Sequence, residues 1–234
     1  MLALYVILGA VIGYLFGSIS VSVIISKVAF KGDVREHGSG NAGATNMARV
    51  YGISGGLLVL LGDFLKTIIA CTVALLICEQ KYDEFCLMAT GIGCVLGHAY
   101  PVFFGFKGGK GVTVGAAVAL MIDWKVLAFI VIVFVVTFIL THIVSISSVM
   151  GAIGLVTITT VCYILNLCGV GFDYFANFTL QRLCLGVVAS IISIWLHRGN
   201  ILRLLKGEEK KFTFKKKEKP QPTACETAVT NTKR

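Results

Sequence analysis

Apolar runs about the length of a bilayer crossing dominate this sequence: Leu2 to Ile25, Gly55 to Cys78, Phe85 to Phe104, Gly111 to Ile122, Val126 to Leu140, Val149 to Cys168 and Phe178 to Leu196. A crossing helix needs about 20 mostly apolar residues to span a hydrocarbon core of about 30 Å. In lipid only helices and closed barrels satisfy every backbone polar group, and uninterrupted runs of this kind suit helices. Composition agrees, with 56% hydrophobic and 14% charged residues and a mean hydropathy of +0.87. Soluble domains run at roughly 45–50% apolar and about 25% charged. A soluble enzyme, a secreted disulfide scaffold and a disordered chain are excluded. The expected fold is an all-α integral membrane protein with seven transmembrane helices. Its fourth, Gly111 to Ile122, is short enough to require residues borrowed from its neighbours or a thinned or protein-lined surrounding.

Basic residues orient such a bundle, because cytoplasmic loops carry an excess of Lys and Arg. Lys27, Lys31, Arg35, Arg49, Lys107 and Lys110 share one side with the run of basic residues after His197, whereas Lys81, Lys125 and Arg182 lie opposite. The expectation is an external N terminus and a cytoplasmic C terminus. The chain start has no basic n-region or small-residue cleavage site, so Leu2 onward reads as a retained span. Residues 1–205 form the expected membrane domain and 206–234 a basic, disordered cytoplasmic tail. With few aromatic residues among its lysines and glutamates, that tail suits a solvated segment near lipid headgroups better than a nucleic-acid surface.

Inside the spans, Gly9, Gly13 and Gly17 make two overlapping G-x-x-x-G steps suited to close helix packing. The cysteines in and beside the spans, Cys71, Cys78, Cys86, Cys94, Cys162, Cys168 and Cys184, form no Cys-x-x-Cys pair and read as small apolar filler rather than a metal or disulfide framework. Asp63 and Lys66, an i,i+3 pair in the second span, must neutralise one another or face the protein interior. Structural and substrate-lining roles fit them equally. His98 reads as a helix-end residue, and Asn177-Phe-Thr179 as a glycosylation sequon abutting the membrane.

Every unusual polar segment falls on the cytoplasmic side. His37-Gly-Ser-Gly-Asn-Ala-Gly-Ala-Thr-Asn-Met-Ala-Arg49 contains G-x-G-x-x-G but lacks the flanking strand and soluble βαβ unit of a dinucleotide site. It reads instead as a glycine-freed loop entering a helix near Asn41, with Asn41, Thr45 and Arg49 on one face. A capped, solvated helix start is the alternative. Phe106-Lys-Gly-Gly-Lys-Gly111 departs from the Walker spacing and gives no support for nucleotide hydrolysis. Lys107 and Lys110 around the amides of Gly108 and Gly109, before a helix N-terminus, suit an anion, as well as a plain positive-inside turn. Ser145, Ser147 and Ser148 follow the fifth span. At the end of the last one, His197, Asn200 and Arg203 share a face. Together these groups form a set of hydroxyls, amides and cations able to grip phosphate.

The segments resemble, in order, the acyl-phosphate-dependent membrane glycerol-3-phosphate acyltransferases of bacteria. The resemblance runs from Gly17-Ser-Ile19 through the loop at 37–46, Val59-Leu-Leu-Gly-Asp-Phe-Leu-Lys66, Gly97-His-Ala-Tyr-Pro-Val-Phe103, the loop at 106–111 and Ser145-Ile-Ser-Ser148 to His197-Arg-Gly-Asn-Ile201 and Leu204-Leu-Lys-Gly-Glu208. Ser20 and His142 depart from it, standing where the family has proline and arginine. The resemblance implies a multi-pass enzyme of the bacterial cytoplasmic membrane. It would move a fatty acyl group from acyl phosphate to the sn-1 hydroxyl of glycerol 3-phosphate, releasing phosphate and lysophosphatidic acid, the first step of phospholipid synthesis. With the loop reading it assigns catalytic roles to Ser39, Lys107, Lys110, Ser147 and His197. Substrate binding falls to Asn41, Thr45, Asn46, Arg49, Gly108, Gly109, Ser145, Ser148 and Asn200. Acyl phosphate is already activated, so no cofactor or metal is demanded. The proton acceptor is either the leaving phosphate or His197.

Two other classes make different demands. Acyltransferases using acyl-CoA or a carrier protein carry His-x-x-x-x-Asp, and no histidine here is followed by Asp at that spacing. A transporter or flippase for a phosphorylated solute or lipid needs midplane polar groups, broken helices and repeated halves. Asp63 and Lys66 aside, few charges fall at mid-span, and no clear repeat exists.

Overall fold

The computed structural model describes residues 1–170 and 178–212. Asn177 of the sequon and the tail from residue 213 lie outside them. Every regular element among the described residues is helical: α1 (Leu2–Gly17), α2 (Val21–Phe30), α3 (Ala44–Tyr51), α4 (Ile53–Ile77), α5 (Asp83–Ala99), α6 (Val112–Ile122), α7 (Trp124–Thr141), α8 (Val144–Leu167), α9 (Leu180–Leu196) and α10 (Arg198–Leu205), with short 3-10 turns between some of them. Five stretches are long and apolar enough to cross a bilayer: 2–30, 53–77, 80–104, 124–141 and 144–167. Helices α9 and α10, bent by 55° at His197, make a sixth when taken together.

One expectation about spans needs correction. The first span is not one helix to Ile25. It breaks at Ser18–Ser20 and resumes as α2. The fourth segment is as short as expected: its helix has 11 residues, a rise of about 16 Å that crosses a core of about 30 Å only with residues borrowed from its neighbours or in a thinned or protein-lined surrounding.

The glycine steps set the tightest packing. A Cβ on Gly13 would stand 2.1 Å from the Thr90 carbonyl oxygen, and one on Gly17 would stand 2.4 Å from that of Cys94. The partner helix returns the arrangement, with Gly93 and Gly97 against the Ala10 and Tyr14 carbonyls at 2.5 and 2.2 Å. Helices α1 and α5 thus pack backbone to backbone, which larger side chains would prevent. The main apolar core lies among α4 to α9, around Val114, Val118, Val126, Leu155 and Leu185.

Polar clusters mark the two ends of the bundle. At one end Arg182 donates to Glu84 at 3.0 Å and to the Ile122 carbonyl at 2.8 Å, tying the starts of α5 and α9 to the end of α6. At the other lie the loops 31–43 and 100–111, the start of α8 and the bend into α10.

Candidate active site

Loop 31–43 is organised by its own polar groups. Gly38 and Gly40 take left-handed φ of 64° and 69°, a conformation that favours glycine. The Asn46 side chain, 2% exposed, accepts from the Ser39 amide at 2.8 Å and donates to the carbonyls of Val34, His37 and Asn41 at 3.0 Å each. Asn46 therefore holds the loop together, and its polar atoms are engaged there. Arg35 ties this loop to the next one, donating to the Phe104 and Lys107 carbonyls at 2.6 and 3.3 Å. Its guanidinium also holds the Asp33 carboxyl down at about 2, the largest cause being their side-chain hydrogen bond.

The helix begins at Ala44 rather than near Asn41, so the expected three-residue helical face does not exist as such. Asn41 nevertheless borders, from the loop, the same cavity as Thr45 and Arg49. That cavity of about 850 Å³ is also lined by Ser39, Asn46, Lys110, Thr113, Ser145, Ser148, His197, Asn200 and Arg203, together with Glu209. Ser145 and Ser148 belong to the first turn of α8, not to a preceding loop.

Four expected residues are not brought to it. Ser147 is fully buried and donates to the Ile143 carbonyl of its own helix at 3.0 Å. The Gly108 and Gly109 amides donate to the Ala99 and His98 carbonyls at 3.2 and 3.0 Å, so they close the α5 terminus rather than stand free for an anion. Lys107 is exposed and absent from the lining, because the glycines turn the chain so that only Lys110 enters. His142 is exposed at the left-handed end of α7.

The middle of the cavity is a linked polar network. Lys110 donates to the Asn200 amide oxygen, and Asn200 in turn donates to Glu209. Ser145 donates to the same Glu209 oxygen at 2.8 Å, and Arg203 to the other at 2.7 Å. Burial lowers the Lys110 pKa, Glu209 opposing and Arg203 and Arg49 adding to the effect. Burial raises that of Glu209, but the hydrogen bonds from Asn200, Ser145 and Arg203 outweigh it and leave the carboxyl below its ordinary value. His197, at the bend beyond α9, has a pKa lowered by burial. Its Nδ1 lies 2.8 Å from the Ser193 carbonyl. A carbonyl only accepts, so Nδ1 carries the proton and Nε2 of the neutral ring keeps a lone pair.

Glu209 escaped the sequence reading, which assigned it to the tail. Residues 206–212 instead fold back over the site: the Glu208 amide donates to the Arg203 carbonyl and that of Phe212 to the His142 carbonyl, each at 2.8 Å. The Phe212 ring meets Phe138 edge-on. Its only sequence signal was the place of Gly207-Glu-Glu209 directly after the α10 pattern.

A second cavity of about 330 Å³ runs among α4, α6, α7, α8 and α9, walled by Leu60, Phe64, Ala116, Leu127, Ile130, Phe134 and Leu155. Leu60, Gly111, Val112, Thr113, Phe134 and Ser148 border both cavities. The N-terminus of α6 stands at the junction, adding the positive end of its dipole.

These features define an integral, multi-pass membrane protein whose cation-lined cavity adjoins an apolar one. The family model described as Glycerol-3-phosphate acyltransferase matches residues 7–207. Curated glycerol-3-phosphate acyltransferases from Finegoldia magna and Halalkalibacterium halodurans are 36% and 40% identical, over 89% and 87% of this chain and 96% and 93% of theirs. The crystal structure of PlsY, an integral membrane glycerol 3-phosphate acyltransferase, in its glycerol 3-phosphate form aligns with a TM-score of 0.74 at 34% identity, covering 89% of this chain and 96% of that one. Its lysophosphatidic acid form aligns with a TM-score of 0.72 at the same identity and coverage. The chain belongs to the glycerol-3-phosphate acyltransferase family. It is an enzyme that transfers an acyl group to glycerol 3-phosphate.

Proposed function

We propose that the acyl donor is acyl phosphate, that the acceptor is the sn-1 hydroxyl of glycerol 3-phosphate, and that the products are lysophosphatidic acid and inorganic phosphate. The observation that carries this reading is the junction of the two cavities at Thr113 and Ser148. Both substrates bear phosphate and one bears a fatty chain, which suits cations beside an apolar groove.

In this reading Arg49, Lys110 and Arg203 hold the phosphate groups, with Ser39, Thr45, Ser145 and Asn200 as neutral partners. The chain of the donor lies between α7 and α8. The acceptor oxygen attacks the acyl carbonyl carbon, the carbon bond to the phosphate oxygen breaks, and phosphate leaves with the electron pair. Fixed donors around the carbonyl oxygen and a held hydroxyl supply the acceleration. The hydroxyl proton has two suitable acceptors, the leaving phosphate and the neutral His197 ring.

The bundle sits in a bacterial cytoplasmic membrane, with this end in the cytoplasm and the N terminus outside. It makes seven crossings, α6 being the short one. Supporting this, α6 starts at the cation-lined cavity and ends where Arg182 holds the Ile122 carbonyl at the opposite end of the bundle. The test supplies labelled glycerol 3-phosphate with palmitoyl phosphate, palmitoyl-CoA or palmitoyl-loaded acyl carrier protein to purified enzyme in lipid. Label enters lysophosphatidic acid with palmitoyl phosphate alone; transfer from either other donor refutes the reading.

A further inference from the structure

At the edge of the cation-lined cavity, which Asp63 and His98 help to line, lies a buried charged group to which the reaction above assigns no role. Asp63, Lys66 and His98 are 2%, 6% and 7% exposed. The Lys66 ammonium stands 2.7 Å from Asp63 Oδ1 and 3.3 Å from His98 Nδ1, and Nδ1 stands 3.6 Å from the same Asp63 oxygen. Lys66 also donates to the Gly17 and Ile19 carbonyls at 3.0 and 2.7 Å. Those carbonyls belong to the break between α1 and α2, where helical partners are missing. Lys66 thus satisfies the broken helix, and Asp63 balances its charge. Neither role calls for a histidine.

The other edge of the His98 ring explains it. A Cβ on Gly109 would stand 2.1 Å from His98 Nε2 and 2.8 Å from Cε1, and one on Gly108 would stand 2.0 Å from the His98 carbonyl oxygen. The ring is the wall against which Gly109 lies, and Gly108 lies against the His98 backbone carbonyl, while the amides of both glycines bond to the end of α5. The next residue is Lys110, the side chain that enters the cavity. Where the backbone of Gly109 lies decides where that ammonium reaches, and an ångström of misplacement is enough to slow a reaction about 100-fold.

We propose that His98 is a positioning residue: held at Nδ1 by Asp63 and Lys66, its ring fixes the Gly109 backbone and thereby aims Lys110 at the substrate phosphate. This rests on the reading of Lys110 as a phosphate-holding cation.

Gly109 provides the test, because its backbone is outside the left-handed region that Gly111, at φ 75°, occupies. An alanine at 109 is opposed by the His98 ring, with the Ala42 carbonyl oxygen the next atom at 3.1 Å. The full chain, purified in lipid, is assayed with glycerol 3-phosphate and palmitoyl phosphate as wild type, G109A, H98A, H98A/G109A and K110A, each checked for folding by size-exclusion profile. G109A is expected to lose at least about tenfold in kcat/KM. The double variant is expected at least about tenfold above the product of the two singles, since the new methyl enters the space the ring vacated. A merely structural histidine would lower the yield of folded protein without that gain. His98→Asn keeps a polar group toward Asp63 while clearing the Nε2 edge, and runs the same cycle where H98A does not fold. Additive losses, or G109A with wild-type turnover, overturn the proposal. K110A with wild-type turnover overturns the phosphate reading beneath it. An impaired K110A alongside additive H98A and G109A overturns the role of His98 alone.

Discussion

Ser145 donates its hydroxyl to the Glu209 carboxylate at 2.8 Å, joining the first turn of α8 to a segment 64 residues later. With Asn200 and Arg203 on the same carboxylate, this contact goes with Glu208, Glu209, Lys210 and Phe212 standing in the wall of the cation-lined cavity. Glu209→Ala is expected to leave Arg203 and the Asn200 amide nitrogen without this partner, at about 1.5–3 kcal/mol for a lost hydrogen bond to a charged group. Thermal melting in detergent and turnover should fall together, Glu209→Gln falling less. Unchanged melting in Glu209→Ala would mean that the segment does not close the site.

Arg49→Ala and Lys110→Ala each remove a cation from the cavity. A charge-assisted hydrogen bond is worth about 1.5–3 kcal/mol, so kcat/KM should drop by about 10- to 100-fold. Cys71→Ala and Cys162→Ala, in the apolar core, should keep turnover within about twofold, as expected for substitutions that leave the reacting groups untouched. Radiolabel transfer on folded protein decides between these expectations.

The two serines that differ most in surroundings offer a direct comparison. Ser147 spends its hydroxyl on its own helix, a bond that adds little and even slightly bends helices. Ser147→Ala is expected to retain turnover, whereas Ser145→Ala should lower it. The opposite order would return Ser147 to the site.

Because burial lowers the Lys110 pKa, the ammonium form is lost on the alkaline side before an ordinary lysine would lose it. Activity that needs this cation should therefore fall below the usual lysine range. Lys110→Arg, which stays charged, should move the alkaline limb upward in whatever turnover it keeps. His197, also shifted down by burial, should remain neutral to a lower pH than a free imidazole. An acid limb carried by its protonation should lie below that of an ordinary histidine and vanish in His197→Ala. A kcat/KM profile from pH 5 to 10 measures both limbs.

Gly115 borders the apolar cavity, and a Cβ there meets nothing within 4 Å. Gly115→Leu should fold while obstructing the groove. The KM for palmitoyl phosphate should rise more than that for a short-chain acyl phosphate, with the KM for glycerol 3-phosphate little changed. Equal effects on both donors would place the fatty chain elsewhere.

Much of this molecule was legible residue by residue. Apolar length called for membrane helices, and the glycine steps of α1 announced the close packing that α5 completes. The spacing of His197, Asn200 and Arg203 set out a face that borders one cavity. The break after Gly17 was not legible, because what sustains it is Lys66, donating from α4 to carbonyls 47 and 49 residues earlier in the chain. Nor was the sorting of Lys107 from Lys110, which depends on the glycines between them bonding to the end of α5.

The sequence by itself determined the solvent this chain requires and the stock of cations, hydroxyls and amides available to hold phosphate, since hydropathy and side-chain chemistry are local properties. Only the tertiary structure decided which members of that stock meet. Asn46 is spent on its loop, Ser147 on its helix and the Gly108 and Gly109 amides on α5, while Glu209 returns from beyond the last helix to link Ser145, Asn200 and Arg203. A polar atom satisfied by its own backbone has little left for a substrate, and the sequence does not record where a hydrogen-bond partner distant in the chain will stand.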